Sequence, residues 1–297
     1  VADLVQAFRR ALIGQEPGFL AASHDLYRLL LAPVADRIAG RDLLIVPDGA
    51  LGYLPFEALL CAPSPPDDHR RLPYLIRRHR LRYSFSASLA LEQAAVERPS
   101  MPEDVLVMAP RFEGLEAVAA AGSEEFRRLR TQLSPLPGSR KEVDLIRQRF
   151  QGTFLQGEAA RESFLKAAGS RYKIIHITTH TLIDERFPSL SKLVFADERG
   201  DAADGFLNVY ELYNLPLYAD LVVLSACNTG TGAIVKGEGI ASLARAFAYA
   251  GSPNLVMSLW PVQDYVAPQL MSRFYDNLKA GMEKGEALHH AKLYCLD

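Results

Sequence analysis

Apolar residues recur along the chain in two patterns, one at helical spacing and the other in short continuous runs. In 19–38, leucine and other apolar residues repeat every three or four positions, which predicts helices before the first strand. Short apolar runs bounded by turn-forming residues predict buried strands at 42–47, 104–110, 153–156, 173–179, 191–197, 221–226 and 254–260. Helices are predicted at 139–150, 161–168, 208–215, 238–251, 266–280 and 284–295. The segment 81–99 is predicted to be a strand that runs into a helix.

Strands and helices alternate most regularly after residue 138. Such alternation is typical of a parallel sheet covered on both faces. We therefore predict an α/β fold with a mostly parallel sheet and helices on both faces. Residues 111–138 are rich in glycine, proline and charge, which predicts a domain boundary between 1–135 and 136–297.

Composition restricts the classes of partner. The formal net charge of −2 on 297 residues gives no general attraction to nucleic acid or to anionic membranes, and we expect neither as a partner. No apolar run reaches the ~18–20 residues that span a bilayer.

Three cysteines, Cys61, Cys227 and Cys295, are too few and too scattered for a disulfide framework, which favours a reducing cytoplasm. Because the chain begins with Val1, we expect a piece of a longer protein.

Two predicted strands end next to side chains with catalytic chemistry. The strand at 173–179 leads into His180, and the strand at 221–226 leads into Cys227. If these strands are neighbours in a parallel sheet, both side chains lie at the same edge, where such sheets place their sites. A neutral imidazole there would activate the thiol as a nucleophile. The spacing alone is equally compatible with a buried structural cysteine.

Other chemistries fit the sequence less well. His176 and His180 would lie ~13 Å apart in a strand, too far to share a metal ion. The glycine-rich loop after Cys227 lacks the Lys-Ser/Thr pair of a phosphate-binding loop, and Val235 replaces the third glycine of a dinucleotide fingerprint. No Gly-x-Ser-x-Gly elbow surrounds Ser225, which disfavours a serine hydrolase. We expect no metal and no cofactor.

A series of motifs resembles the CHAT family, caspase-like domains related to caspases, separases and gingipains and often found beside TPR repeats. The resemblance begins near residue 40 and covers nearly all of the chain from there. SACNTG and SLWPVQD are its most specific segments. The matching segments are, in order, DGALGYLPFEALL, LPGSRKEVDLI, TFLQGEAARESFLKAA, IIHITTH, LVVLSACNTGTG, KGEGIASLARAFAYAGSPNLVMSLWPVQD and FYDNLKAG.

The resemblance implies a caspase-like fold and a cysteine endopeptidase that acts through a thioester acyl-enzyme. Cys227 would be the nucleophile and His180 its acid–base partner. Backbone N–H groups of Thr181 and Cys227 would form the oxyanion hole. Family members usually carry glycine at the position of Thr181, so this chain departs from the pattern there. By the same resemblance, the N-terminal half would be a catalytically silent caspase-like unit.

Acidic residues after these strands are candidates for substrate recognition. By resemblance to separases, Asp264 would line the pocket for the residue before the cut and favour arginine or lysine. The alternative is that Asp264 caps the helix that follows it. Asp184, Glu185 and Glu238 are loop acids that are expected to be solvated.

The expected partners are a protein or peptide substrate and regulatory segments such as TPR repeats. Two other functions remain open at this point. The domain would be an inactive interaction module if Thr181 disables the site, or an acyltransferase if an amine rather than water takes the acyl group. A backbone carbonyl would suffice to orient His180.

Overall fold

A computed structural model describes residues 1–16, 18–65, 68–95, 101–112, 133–184, 186–198, 203–225, 227–228, 238–259 and 266–297. For 92–95, 227–228 and 238–240 it describes the backbone alone. The chain divides into two compact units. Unit 1 comprises Val1–Ala95 and Gln269–Asp297, and unit 2 comprises Val96–Pro268.

Helices make up much of both units, and most follow the predicted apolar periodicity. In chain order they are α1 (Ala2–Gly14), α2 (Phe19–Leu30), α3 (Ala35–Ile38), α4 (Ala87–Ala95), α5 (Pro137–Arg147), α6 (Glu162–Ala168), α7 (Val209–Leu212), α8 (Glu238–Tyr249), α9 (Ala267–Lys279) and α10 (Lys284–Leu296). Two 3₁₀ helices, Gly49–Tyr53 and Phe56–Ala58, follow the first strand.

Within the described ranges the strands are short, and they form three separate sheets. In chain order they are β1 (Leu43–Ile45), β2 (Leu81–Tyr83), β3 (Glu103–Ala109), β4 (Gly152–Gln156), β5 (Tyr172–Ile177), β6 (His180–Leu182), β7 (Lys192–Val194), β8 (Phe206–Asn208), β9 (Leu221–Leu224), β10 (Cys227–Asn228) and β11 (Leu255–Met257).

Unit 1 is built on an apolar core beneath α1 and α2. Phe8, Leu26 and Leu75 are fully buried in this core. The parallel pair β1–β2 belongs to the same unit. The C-terminal helix α10 is fixed by a 2.7 Å ion pair between Lys292 and Glu57.

Unit 2 contains a five-stranded, wholly parallel sheet in the order β11-β9-β5-β3-β4. All four residues of β9 are buried. Because consecutive side chains of a strand point to opposite faces, this pattern requires both faces of the sheet to be covered. The observed α/β architecture, a mostly parallel sheet flanked by helices, confirms the predicted fold class.

Gly251 caps the C-terminal end of α8, whose last helical residue is Tyr249. Its φ of +86° lies in the left-handed region, and its N–H donates to the carbonyl of Ala248. A Cβ at this position would lie 2.5 Å from the ring of Tyr218, so space as well as backbone conformation favours glycine.

A second sheet of four strands, in the order β10-β6-β7-β8, lies in the same unit. Its pair β6–β10 is parallel, whereas β7 runs antiparallel to both β6 and β8. The sequence analysis predicts β7 but not β6, β8 or β10, because strands of two or three residues carry too little apolar pattern to be recognised.

The limits of the two compact units do not coincide with the domain boundary predicted between residues 135 and 136. Residues 135 and 136 both lie inside unit 2. Strand β3, which the prediction assigns to the N-terminal half, lies between β4 and β5 in the five-stranded sheet. The division into a silent and an active caspase-like half stays a prediction.

Candidate functional site

The site is built where two neighbouring parallel strands pass from one sheet into the other. In the first sheet, Ile177 at the end of β5 is opposite Leu224 at the end of β9. In the second, His180 at the start of β6 is opposite Cys227 at the start of β10. Both pairs have the same offset in sequence, so the register continues through the transition. Neighbouring strands lie ~4.8 Å apart, within the reach of an imidazole and a thiol.

His180 is held by a backbone carbonyl. Its side chain is buried, and Nε2 lies 2.7 Å from the carbonyl oxygen of Ser134. Because a carbonyl can only accept, we assign the ring hydrogen to Nε2. Nδ1 then carries the lone pair, and it has no hydrogen-bond partner among the described residues. The imidazole therefore has one fixed nitrogen and one that can accept a proton.

An aromatic ring fixes the plane of this imidazole. The ring of Phe112 lies edge-on to His180, with 4.5 Å between centroids and 71° between planes. Phe112 is itself buried in a small apolar cluster with Leu133, Val194 and Phe206. Since Leu133 precedes Ser134, the cluster anchors both the ring and the carbonyl that restrict His180.

Burial determines the charge of His180. Desolvation lowers the pKa of its imidazole below the ordinary value, and the hydrogen bond to the Ser134 carbonyl opposes part of this shift. The imidazole is therefore neutral at pH 7, the form in which Nδ1 can act as a base.

Comparisons with known proteins identify the family of this chain. The CHAT domain matches residues 20–297 of the chain. The chain belongs to the CHAT domain family. Its relatives include Tetratricopeptide repeat protein 28 from Homo sapiens and from Mus musculus, each 23% identical over 320 residues that cover 90% of this chain. The chain spans only 12% of the length of these two relatives. The predicted family is confirmed, and the α/β architecture is its caspase-like fold.

The other predicted site residues of the CHAT domain are placed as follows. Thr181 lies in β6, opposite Asn228 of β10 and Leu193 of β7. Asp184 accepts the backbone N–H groups of Arg186 and Phe187, as a solvated loop acid does. Asp264 and Glu185 lie outside the described residues, as does the side chain of Glu238.

The sequence analysis allows a backbone carbonyl to orient His180 but does not point to Ser134, and the ring of Phe112 has no counterpart in it. The carbonyl of Ser134 and the ring of Phe112 come from 111–138, which the sequence analysis treats as a boundary segment. A carbonyl is present at every residue, so no residue type points to it. A lone aromatic in a loop gives an equally weak signal. Proximity to His180 is evident only in the folded chain.

The described part of the CHAT domain has no group of three or more histidine, cysteine or carboxylate side chains that could hold a metal ion. His176 and His180 are not joined at one site, because His176 lies beside Glu142 and His180 beside Ser134. In the same described ranges, none of the helices has the length and apolar character to span a bilayer.

We expect His180 to titrate below pH 6.5, its ordinary value, because burial favours the neutral ring. The unfolded chain then binds the proton more readily. The stability that the neutral ring contributes is therefore present above pH 6.5 and lost as pH falls through the lower folded pKa. Histidine ¹⁵N NMR of a Cys227→Ala variant, with His180→Gln to assign the signal, measures this pKa without a coupled thiol. A midpoint above 6.5 contradicts the expectation.

Proposed function

We propose that this CHAT domain is a cysteine endopeptidase in which Cys227 is the nucleophile and His180 the acid–base partner. One observation carries the proposal: the β6–β10 register puts Cys227 opposite a buried histidine whose Nδ1 is open. A buried structural cysteine needs no such neighbour. Nor does a structural histidine need one nitrogen fixed by a carbonyl and the other left available.

The proposed reaction begins with transfer of the Cys227 proton to Nδ1 of His180. The thiolate attacks the carbonyl carbon of the scissile peptide bond, and the carbonyl oxygen becomes an oxyanion. The C–N bond then breaks while His180 returns the proton to the leaving amine, which leaves a thioester on Cys227. Water, deprotonated by His180, attacks this thioester. The resulting tetrahedral intermediate collapses with cleavage of the C–S bond, which releases the new carboxyl group, and His180 returns the proton to the sulfur of Cys227.

Backbone N–H groups of Thr181 and Cys227 would stabilise the oxyanion in this proposal. Thr181 replaces the glycine that is usual in the family, so its backbone conformation matters. It lies in strand β6 and is not among the described residues with positive φ. An extended backbone accommodates threonine well, because β-branched residues favour strands. The substitution by itself therefore gives no reason to propose an inactive domain.

Substrate and partners follow from the resemblance and the relatives. We propose Asp264 as the residue that favours arginine or lysine before the cut, through charge-assisted hydrogen bonds. The relatives are named tetratricopeptide repeat proteins and are much longer than this chain. We propose that repeats of this kind, or a similar regulatory segment, act as partner of the domain in a reducing cytoplasm.

Selective alkylation tests the nucleophile without a known substrate. We expect limiting iodoacetamide at pH 7 to label Cys227 faster than Cys61 and Cys295. Burial raises the pKa of the Cys61 thiol, against opposing contributions from Arg78 and Tyr27. Cys295 is exposed at the surface, and partial desolvation raises the pKa of its thiol as well. Neither thiol is activated, so both serve as internal controls, Cys295 for an accessible thiol. Mass spectrometry of native and unfolded protein gives the three rates. Equal rates for all three in the native protein would contradict the proposal.

A peptide library then tests the reaction. We expect Cys227→Ala to lose cleavage on the order of 10⁶-fold, to below detection, since removing a nucleophile eliminates the covalent route. Peptide mass spectrometry identifies the products. Cleavage by the variant at the wild-type rate excludes the mechanism, and an amine-linked product would assign an acyltransferase instead.

A further inference from the structure

A buried carboxylate lies beside the two strands, β5 and β9, that precede the proposed dyad. Glu142 on α5 is only 2% exposed, whereas its helix neighbours Val143 and Ile146 fill the apolar core. Burying an acid among apolar residues is unfavourable unless polar groups compensate for the lost water. The partners of Glu142 are therefore informative.

Those partners lie on or directly after the two strands that lead into the site. Oε2 of Glu142 accepts a 2.9 Å hydrogen bond from the Ser225 hydroxyl, and Oε1 lies 3.2 Å from Nε2 of His176. The second contact is within ion-pair distance but lacks the alignment of a hydrogen bond. Ser225 follows β9 and stands two residues before Cys227, while His176 is on β5, four residues before His180.

Ser225 is also where the register of the two strands continues past the first sheet. Its N–H donates to the carbonyl of Ile177 at 3.0 Å, directly after the last β5–β9 pair. The next pair is that of His180 and Cys227. Glu142 thus bonds the residue at which β9 leaves the first sheet and touches the strand that leads to His180.

We infer that Glu142 is a positioning residue for the Cys227–His180 pair, an inference that rests on the proposed function. Through Ser225 it fixes the path of the chain into β10, and through His176 it packs against the strand that precedes β6. It touches neither reacting group. Its effect is on the separation of the two, to which catalysis is sensitive, since an ~1 Å misplacement can cost ~100-fold in rate.

Replacing Glu142 by leucine tests this role. Leucine keeps the volume and removes the bond to Ser225, so we expect kcat for peptide cleavage and the Cys227 alkylation rate to fall ~100-fold, with KM little changed. Glu142→Gln retains an acceptor for Ser225 and should restore most of both rates. Should Glu142→Leu not fold, Ser225→Ala removes the same hydrogen bond and should lower both rates in the same direction.

Glu162 provides a matched control. It is a second buried glutamate of unit 2, on α6, and accepts the backbone N–H of Gly205 at 2.9 Å. Glu162→Gln should lower stability without changing the alkylation rate of Cys227 per folded molecule. A merely structural Glu142 would behave in the same way.

The outcomes separate the two proposals. If wild-type Cys227 labels no faster than Cys61 and Cys295, the proposed function fails. If wild-type Cys227 is reactive and both Glu142→Leu and Ser225→Ala keep its rate, the positioning role alone is overturned. A KM increase at constant kcat would also overturn it, since it would place Glu142 in substrate binding.

Discussion

Replacing His180 by alanine is expected to lower peptide cleavage by ~10²–10⁴-fold, the usual contribution of a general acid–base group. At pH 7 the Cys227 thiol would lose the open Nδ1 that we propose as its proton acceptor. An ordinary cysteine has a pKa of ~8.5 and is mostly protonated under these conditions. Steady-state kinetics on a selected peptide and the iodoacetamide rate of Cys227 measure the two consequences separately.

The pH dependence of these two measurements distinguishes the proposed roles of His180. Above pH ~8.5 the thiol ionises without assistance, so alkylation of the variant should approach the wild-type rate. Cleavage should not recover, because the leaving amine still lacks its proton donor. His290→Ala, an exposed histidine of α10, serves as the control and should change neither rate. Equal losses of alkylation at every pH would indicate a structural role for His180.

The fold was largely predictable because its sheet is buried on both faces. Runs such as 104–110 and 221–226 are apolar throughout, and the structure has β3 and β9 there. The alternation of these runs with amphipathic helices is a long-range pattern that single substitutions do not obscure. The predicted α/β class therefore depends on many residues at once.

The site was predictable only in part. The sequence analysis places His180 and Cys227 just after two strands, but not in strands of their own. Whether they face each other depends on the register of β6 with β10, and short strands encode register weakly. Ser134 and Phe112 reach His180 from distant parts of the chain, and Glu142 likewise reaches Ser225 and His176. Such contacts are set by tertiary packing, which no local pattern reports.

Lys166 forms ion pairs in unit 2 that contribute to the stability of this unit. Glu162 on α6 is buried, and Nζ of Lys166 lies 2.5 Å from its Oε1. The same ammonium lies 2.7 Å from Glu211 of α7, whose other oxygen takes part in the capping box with Asn208. Lys166 thus links two helices and provides the positive charge beside a carboxylate that is removed from water.

Replacing Lys166 by methionine is expected to destabilise the fold by ~3–5 kcal/mol at pH 7. Methionine keeps the length of the side chain but leaves Glu162 buried without this ammonium. Urea unfolding, followed by circular dichroism, measures the free energy of unfolding. Lys173→Met, at an exposed position of β5, is the control for loss of a lysine and should stay within ~0.5 kcal/mol of the wild type.

The penalty in the Lys166→Met variant should shrink as the pH is lowered. Burial raises the pKa of Glu162 above its ordinary 4.5, and Lys166 opposes that rise, so the variant raises it further. A carboxyl group whose pKa is raised in the folded state contributes stability below its ordinary pKa of 4.5. This contribution is lost as pH rises through the folded-state pKa. For Glu211, burial is outweighed by hydrogen bonds from Lys166 and Asn208, which lower its pKa and stabilise the fold above 4.5. The stabilisation that Lys166 gives to both carboxylates is therefore largest at neutral pH, where both are ionised. A Lys166→Met penalty that is equal at pH 7 and pH 4.5 would exclude this electrostatic origin.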